Sequence, residues 1–440
     1  MKRLFSTLKW LYPGMRVKRW MVLTLIGLAL ALVGLALATN LEMIQWLNTV
    51  LEWALTVTGI NFGRSALAVP TGLVLAVAGM LLVYISAIQL TRSVVTAVAP
   101  EARQDLADRI FQRRHLAQGQ RIVVIGGGTG LSTMLRGLKE HTSNIAAIVT
   151  VTDNGGSSGR LTQQMGVLPP GDLRNCLVAL ADAEPTLARL FQFRFEDDHE
   201  GLAGHSFGNL FIAAMTEIYQ GNYEQAIAAT SKVLAIRGKV YPSTVQNVCL
   251  LGEMEDGTIV EGETQIAKSG RTQPIRRIYL RPENARPLAE ALEAIRLADA
   301  IILGPGSVYT SVIPNLLVEG IAEAVACSRA VKVYVCNVMT QPGETDGFTA
   351  ADHVRVLAEH TPLTDAGRRH LLNHVLVNKE RPSEELLVRY AKHGQQFVEP
   401  DMDAIRALGY APYAANLISQ SDVVRHDPVR LADAIVRLIT

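Results

Sequence analysis

Apolar residues are distributed along this chain in two regimes. From Trp20 to Thr39, and again from Ser65 to Leu90, no charged residue interrupts the run. Beyond Gln120, apolar residues come in short β-branched runs, each ending in a polar, glycine-rich stretch and followed by residues at helical spacing. A helix rises about 1.5 Å per residue, so 20 uncharged residues cross a hydrocarbon core of about 30 Å. The first regime therefore predicts two transmembrane helices, at about 20–39 and 67–90. Lys2, Arg3, Lys9, Arg16, Lys18 and Arg19 precede the first span, and Arg92, Arg103, Arg109, Arg113 and Arg114 follow the second. Between the spans Arg64 stands against Glu42 and Glu52, so basic-residue asymmetry puts both ends of the hairpin in the cytoplasm. A cleaved signal segment would have a shorter apolar stretch and no second span; a buried soluble hairpin is the other alternative. Gly27, Ala31, Gly34 and Ala38, with Gly72, Ala76 and Gly79, would let the two helices approach closely. Leu41 to Leu55 has the pattern of an interfacial amphipathic helix, and Pro100 to Gln120 reads as a juxtamembrane helix and linker. The expected organisation is a hairpin over 1–95, a linker over 96–119 and one domain over 120–440.

In the second regime, Ile122–Ile125, Ile145–Val151 and Ala300–Leu303 read as buried strands, and Val331–Val335 and His374–Asn378 as further strands. Strand alternating with helix predicts a doubly wound, mostly parallel, Rossmann-like α/β sheet. One interruption is visible. Val245 to Ile266 alternates around Asp256-Gly257, a hairpin signal, and with Arg276 to Leu280 it predicts a small antiparallel insertion. Glu184 to Phe195 reads as an aromatic-rich core helix, and Asp172 as the N-cap of a helix over Leu173–Leu180.

Candidate chemistry lies where the strands end. The first strand runs into Gly126, Gly127, Gly128, Thr129 and Gly130, and a helix follows. Such turns present backbone N–H groups to anions. No Gly-Lys-Ser/Thr follows, and Leu131 occupies the third glycine position of a dinucleotide fingerprint, so neither a Walker loop nor a complete G-x-G-x-x-G is present. The second strand ends in Asp153, Asn154, Gly155, Gly156, Ser157 and Ser158. There the serines suit phosphate oxygens and Asp153 suits a sugar hydroxyl or a divalent cation. Asp172, Arg174 and Asn175 follow a Pro-Pro-Gly break; His205, Ser206 and Asn209 begin a later helix. A third loop carries Gly304, Pro305, Gly306, Ser307, Tyr309 and Thr310, and a fourth carries Asn337, Thr340, Glu344, Thr345 and Asp346. In open α/β sheets all four lie at the carboxyl edge, where ligands bind. Tyr309, the only aromatic in its loop, is placed to stack on a base, with packing beneath the loop as the alternative. Arg237-Gly238-Lys239 is a basic turn that could meet phosphate. No nucleophile–base pair stands out by spacing.

Composition narrows the picture. The 440 residues carry 42 basic and 41 acidic side chains, a net charge of +1 that favours no nucleic-acid partner. Cys176, Cys249, Cys327 and Cys336 stand singly in apolar surroundings, as buried reduced thiols do.

Taken in order, GGGTGLSTMLRGLK, TVTDNGGSSGRL, PPGDLRNCLVALAD, GHSFGNL, GPGSVYTSVIPNLLV and VCNVMTQPGETDGFTAADH resemble the YvcK-type gluconeogenesis factor family. That family lies within the wider group of 2-phospho-L-lactate transferase (CofD)-like proteins. The resemblance covers about Gln120 to Ile439 and implies a CofD-like α/β fold. It also implies a UDP-sugar ligand, notably UDP-N-acetylglucosamine, and a role in cell-wall (peptidoglycan) precursor supply and cell shape during gluconeogenic growth. Relatives often carry two adjacent acids where this chain has Asp153 then Asn154, which weakens any divalent-cation site. Two functions follow. One is a regulator that binds a nucleotide sugar and acts on a cell-wall precursor enzyme; the other is a transferase of a phosphorylated group from a nucleoside diphosphate. A dinucleotide oxidoreductase fits less well. No cofactor is required by the first reading, a homo-oligomer is open, and the expected location is the cell membrane, multi-pass, with the main domain cytoplasmic.

Overall fold

The computed structural model describes residues 18–38, 68–98, 115–182, 185–196, 201–419 and 423–440, and the chain divides into two units, Met1–Gln112 and Arg113–Thr440. In the first unit, helices α1 (Lys18–Ala38) and α2 (Ala68–Val98) pack against each other. Their backbones touch at small residues: a Cβ added at Gly34 would lie 2.3 Å from the Ala76 nitrogen, and one at Gly79 2.4 Å from that of Ala31. Thr24 Oγ1 and Ser86 Oγ share a hydrogen bond of 2.8 Å, while Leu25, Leu32, Leu73 and Val74 are exposed. The two hydroxyls thus lie between the helices, while apolar side chains cover the outside of the pair. Both helices are long and apolar enough to cross a membrane. The expected helix over Leu41–Leu55 lies outside the described residues, as does the linker up to Arg114; His115–Ala117 form one helical turn with Leu116 buried.

The second unit is built on a seven-stranded parallel sheet. Its strands are β1 (Ile122–Gly126), β2 (Ile145–Val149), β3 (Lys239–Pro242), β7 (Ala300–Leu303), β8 (Val331–Val335), β9 (His374–Asn378) and β10 (Ala411–Ala415), in the order β10-β9-β8-β7-β1-β2-β3. The strands between β3 and β7 form a separate antiparallel sheet, described below. Alternate residues serve opposite cores. Ile122 and Val124 pack with Leu131 and Met134 of α3 (Gly128–Leu138), whereas Val123 and Ile125 pack with Ile301, Leu303 and Val312 on the other face. In β1 and β7, at the centre of the sheet, residues pointing both ways are buried, so these two strands are apolar throughout.

From β1 the chain steps outward through β2 to β3, then returns to place β7 on the other side of β1 and continues through β8 to β10. The direction of winding thus reverses between β1 and β7. A doubly wound sheet opens its ligand crevice at the carboxyl end of such a pair. Helices α4 (Gly156–Met165), α5 (Gly171–Leu180) and α6 (Phe207–Ile218) follow β2 and begin near that edge.

The insertion is a three-stranded antiparallel sheet, β4 (Cys249–Met254), β5 (Ile259–Glu261) and β6 (Ile275–Arg281), ordered β5-β4-β6. Several local expectations are corrected. The hairpin ends at Glu261; Gly262, at φ +88°, turns the chain into helix α7 (Glu263–Ser269), so Ile266 packs from a helix. The second strand ends at Val149, not Val151. The aromatic helix is Pro185–Gln192, with Phe191 buried but Phe193 exposed. All four cysteines are free, and Cys327 is exposed rather than buried.

Candidate functional site

At the carboxyl edge the first and third loops lie against each other. Gly127, just past β1, is extended and caps α3, and Gly128, at φ +71°, starts that helix, so Thr129 and Gly130 lie in its first turn. A Cβ at Gly130 would lie 2.7 Å from the Pro305 carbonyl oxygen, which is why this approach tolerates no side chain. Asn337 holds the third loop: its Oδ1 accepts from Gly306 N–H at 3.1 Å and its Nδ2 donates to Gly306 O at 2.8 Å. Ser307 caps the helical turn that follows, accepting from Thr310 N–H at 3.0 Å. Between these loops opens a cleft of about 190 Å³ lined by Thr129, Gly130, Pro305, Asn337, Arg425 and His426. Arg425 and His426, from the segment before α8 (Pro428–Ile439), escaped sequence reading because no glycine loop marks them.

The second loop and the Pro-Pro-Gly segment form the next wall. Asp172 is not the N-cap of α5; Pro170 holds that place, and Asp172 in the first turn accepts the Gly128 N–H instead. Burial and then the neighbouring Asp153 carboxylate push the Asp172 pKa up to about 6. Asp153 itself accepts from Gly155 N–H at 2.9 Å. Ser158 Oγ accepts from Gly171 N–H at 3.1 Å, tying the second loop to α5. Asn154 reaches the other way, its Oδ1 accepting from Thr264 N–H at 3.3 Å at the start of α7.

That contact brings in a residue the sequence reading missed. Glu263, the first residue of α7, places its carboxyl 3.1 Å from Thr310 Oγ1. Burial, then Asp153, Asp172 and Glu344, raise its pKa to about 8. Glu344, from the fourth loop, accepts from Ser307, and burial lifts it to about 7. Thr310 Oγ1 thus faces Glu263, Glu344 at 3.5 Å and Ser307 Oγ at 2.8 Å with a single proton. One hydroxyl proton serves only one of these oxygens, so the other contacts need protons carried by Ser307 or by the carboxyls themselves. Only the insertion brings Glu263 there. Among the described residues, no three acidic, histidine or cysteine side chains converge as a preformed metal site.

From Ser157 of the second loop a further set of polar groups is linked in series. Arg174 donates to Asn209 Oδ1 at 3.1 Å, to Asn175 Oδ1 at 2.8 Å and to Ser206 Oγ. Asn209 Nδ2 donates to Ser157 Oγ at 3.0 Å, and Ser157 Oγ lies 3.0 Å from His205 Nδ1. Forty-eight positions separate Ser157 from His205, so spacing hid a hydroxyl–imidazole pair that the fold assembles.

Two expected contacts fall elsewhere. Tyr309 is 3% exposed and belongs to the core beneath the sheet, edge-on to His360 at 5.4 Å and near Phe348. Its ring faces apolar neighbours, so packing and not base stacking explains it. Tyr309→Ala is expected to destabilise the protein by about 3 kcal/mol or more, the range of large-aromatic truncations. Tyr309→Phe should stay near wild type; urea unfolding decides, and an unchanged midpoint for Tyr309→Ala would return the ring to the cleft. Arg237-Gly238-Lys239 leads into β3, whose first residue is Lys239, and so lies at the amino edge of the sheet, opposite the loops, where Arg237 pairs with Asp182 at 2.6 Å and with Glu140 at 3.3 Å.

The remaining candidates lie in the loops that follow strands of the parallel sheet or at the starts of the helices beyond them: Gly126 to Gly130, Asp153 to Ser158, Asp172, Arg174, Asn175, Asn209, Gly304 to Ser307, Thr310 and Asn337. The chain also resembles known proteins. The family model described as 2-phospho-L-lactate transferase CofD matches residues 122–418. A protein of Nostoc sp. is 46% identical over 434 residues, covering 98% of this chain and 92% of its own, so that alignment takes in the hairpin. The gluconeogenesis factor of Halalkalibacterium halodurans is 50% identical over 316 residues, covering 72% of this chain and 95% of its own; that of Bacillus subtilis is 46% identical over 325 residues, 74% and 99%. A crystal structure of a UPF0052-family protein from Bacillus halodurans superposes with a TM-score of 0.68 at 48% identity, covering 72% of this chain and 99% of that one.

Proposed function

This chain belongs to the CofD family, with the gluconeogenesis factors among its relatives, and from that premise we propose that its sheet-edge crevice binds a nucleotide sugar, UDP-N-acetylglucosamine in particular. The observation that carries this reading is the meeting of the Gly126–Gly130 and Gly304–Ser307 loops at the reversal between β1 and β7. A diphosphate placed there meets backbone N–H groups at the start of α3, and Arg425 supplies a cation at the rim of the cleft. With Tyr309 withdrawn, the uridine assignment rests on the family resemblance. Asp153 and Asp172 carry the oxygens that would hold a divalent cation on the diphosphate, and their mutual repulsion is what such a cation would relieve. In this role the protein senses precursor supply for the cell wall, and so supports cell shape under gluconeogenic growth, by acting on a precursor enzyme.

The hairpin and its basic flanks support membrane anchorage with the α/β domain in the cytoplasm. Two relatives are matched over 95% and 99% of their own length by 72% and 74% of this chain, which supports a second unit able to fold by itself. Residues 118–440 should accordingly remain folded and bind UDP-N-acetylglucosamine by calorimetry in preference to UDP, GDP and NAD. Equal affinity for UDP and its sugar conjugates, or preference for GDP, would defeat the reading. A second reading, transfer of a phosphorylated group, is favoured by one observation, the Ser157–His205 pair.

A further inference from the structure

Hydrogen-bond direction along the series Arg174, Asn209, Ser157, His205 can be assigned from chemistry alone. Guanidinium N–H groups only donate, so the Asn209 atom facing Arg174 is its oxygen. The amide nitrogen of Asn209 must then face Ser157 and donate to Oγ. That leaves Ser157 its own proton, and His205 Nδ1, 3.0 Å away, is the acceptor present. Accepting through Nδ1 requires the neutral imidazole. Burial, and then the guanidinium groups of Arg160 and Arg194, lower the His205 pKa and favour that form. Ser157 is also the second residue of α4, whose first-turn N–H groups point to the same end. A hydroxyl that donates to a neutral imidazole at a helix start has the layout of an activated serine.

We propose that Ser157 is a nucleophile with His205 as its base, and that it takes a phospho group from the nucleoside-diphosphate donor onto its side-chain oxygen. In this step Ser157 Oγ bonds to the β-phosphorus of a UDP-sugar, and the bond from that phosphorus to the bridging oxygen breaks. UMP leaves with the electron pair, and the hydroxyl proton passes to His205 Nδ1. The sugar phosphate is left as an ester on Ser157. The donor rests on the nucleotide-sugar reading above; the nucleophile does not.

Two probes separate these parts, both applied to the full chain in detergent micelles. Diisopropyl fluorophosphate reports serine activation without regard to natural ligand: Oγ displaces fluoride from phosphorus and the proton again goes to His205. Peptide mass spectrometry should place the adduct on Ser157. His205→Gln should slow labelling at least ~100-fold, the low end of what a positioned base contributes, with the circular dichroism spectrum of the folded protein kept. Absence of label on Ser157, or an unchanged rate in folded His205→Gln, overturns the proposal. Incubation with UDP-N-acetylglucosamine should then release UMP and leave N-acetylglucosamine phosphate on Ser157. Calorimetric binding of that ligand without the adduct overturns the transfer step. A labelled Ser157 in a protein that does not bind UDP-N-acetylglucosamine supports the nucleophile and defeats the donor reading instead.

Discussion

Gly127→Ala is expected to lower affinity for UDP-N-acetylglucosamine by at least ~100-fold, about 2.8 kcal/mol. Gly127 is extended, at φ −167° and ψ −177°, a conformation open to any residue, so backbone strain is not the cause. The cause is space. An added Cβ would stand 2.5 Å from Asp172 Oδ2 and 2.7 Å from Thr150 Cγ2. Something must move, and the nearest atom belongs to the carboxylate that receives the Gly128 N–H. Displacing it frees the first turn of α3 from its tether and shifts the loop that meets the diphosphate. Overpacking of this kind also costs about 1–3 kcal/mol of stability. Gly128 offers the contrast: its Cβ would meet only Ser311 Oγ at 3.7 Å, but φ is +71°. Alanine there is strained by about 1–2 kcal/mol without a clash, and valine, which is bulkier, should weaken binding by at least ~10-fold. Isothermal titration of the two alanine variants checks the order; wild-type affinity in folded Gly127→Ala would show that this loop makes no ligand contact.

Stability of the ligand-free protein is expected to fall as pH rises from 5.5 to 8.5, and Glu263→Gln should remove much of that loss. The folded pKa of Glu263, about 8, lies above its ordinary 4.5, so across this interval the folded state holds a proton that the unfolded state has released. Its stabilising contribution is complete below about pH 4.5 and disappears as pH climbs to about 8. Glu344, near 7, and Asp172, near 6, act in the same direction. Each tenfold change in proton affinity is worth about 1.4 kcal/mol, so Glu263 alone contributes on the order of a few kcal/mol. Glutamine keeps the contact to Thr310 without the charge, so the variant should be more stable than wild type at pH 8.5 and closer to it at pH 5.5. Urea midpoints at the two pH values measure this. Equal wild-type midpoints at both would show that the four carboxyls are not forced together.

What was legible in the sequence was whatever depends on near neighbours. Ile122–Ile125 and Ala300–Leu303 are strands because β-branched and other apolar residues pack on both faces of a parallel sheet, and a short uncharged run shows this directly; Val331–Val335 and His374–Asn378 keep enough of the pattern despite Lys332, His374 and Asn378. The glycine loops follow from the same local record, since a chain leaving a strand for a helix must turn at once. The hairpin was legible because 20 uncharged residues in series leave few alternatives, and Gly34 and Gly79 mark its contact face.

What only the tertiary structure decided was where side chains with two physical options went. Tyr309 lies in a loop by sequence, yet the turn at Ser307–Val312 points its ring into the core, where an apolar ring gains more by burial. Arg237 and Lys239 form a basic turn by sequence but stand where the chain enters β3, and residues that enter a parallel strand lie at the edge opposite those that leave one. Glu263 reads as one more acid after a hairpin until the insertion folds back and sets it against Thr310. Ser157 and His205 meet because α4 and α6 both begin near the carboxyl edge of the sheet. Periodicity determines which residues form strands and helices. The direction of each crossover, a long-range property of the packed sheet, decides which of their ends come together.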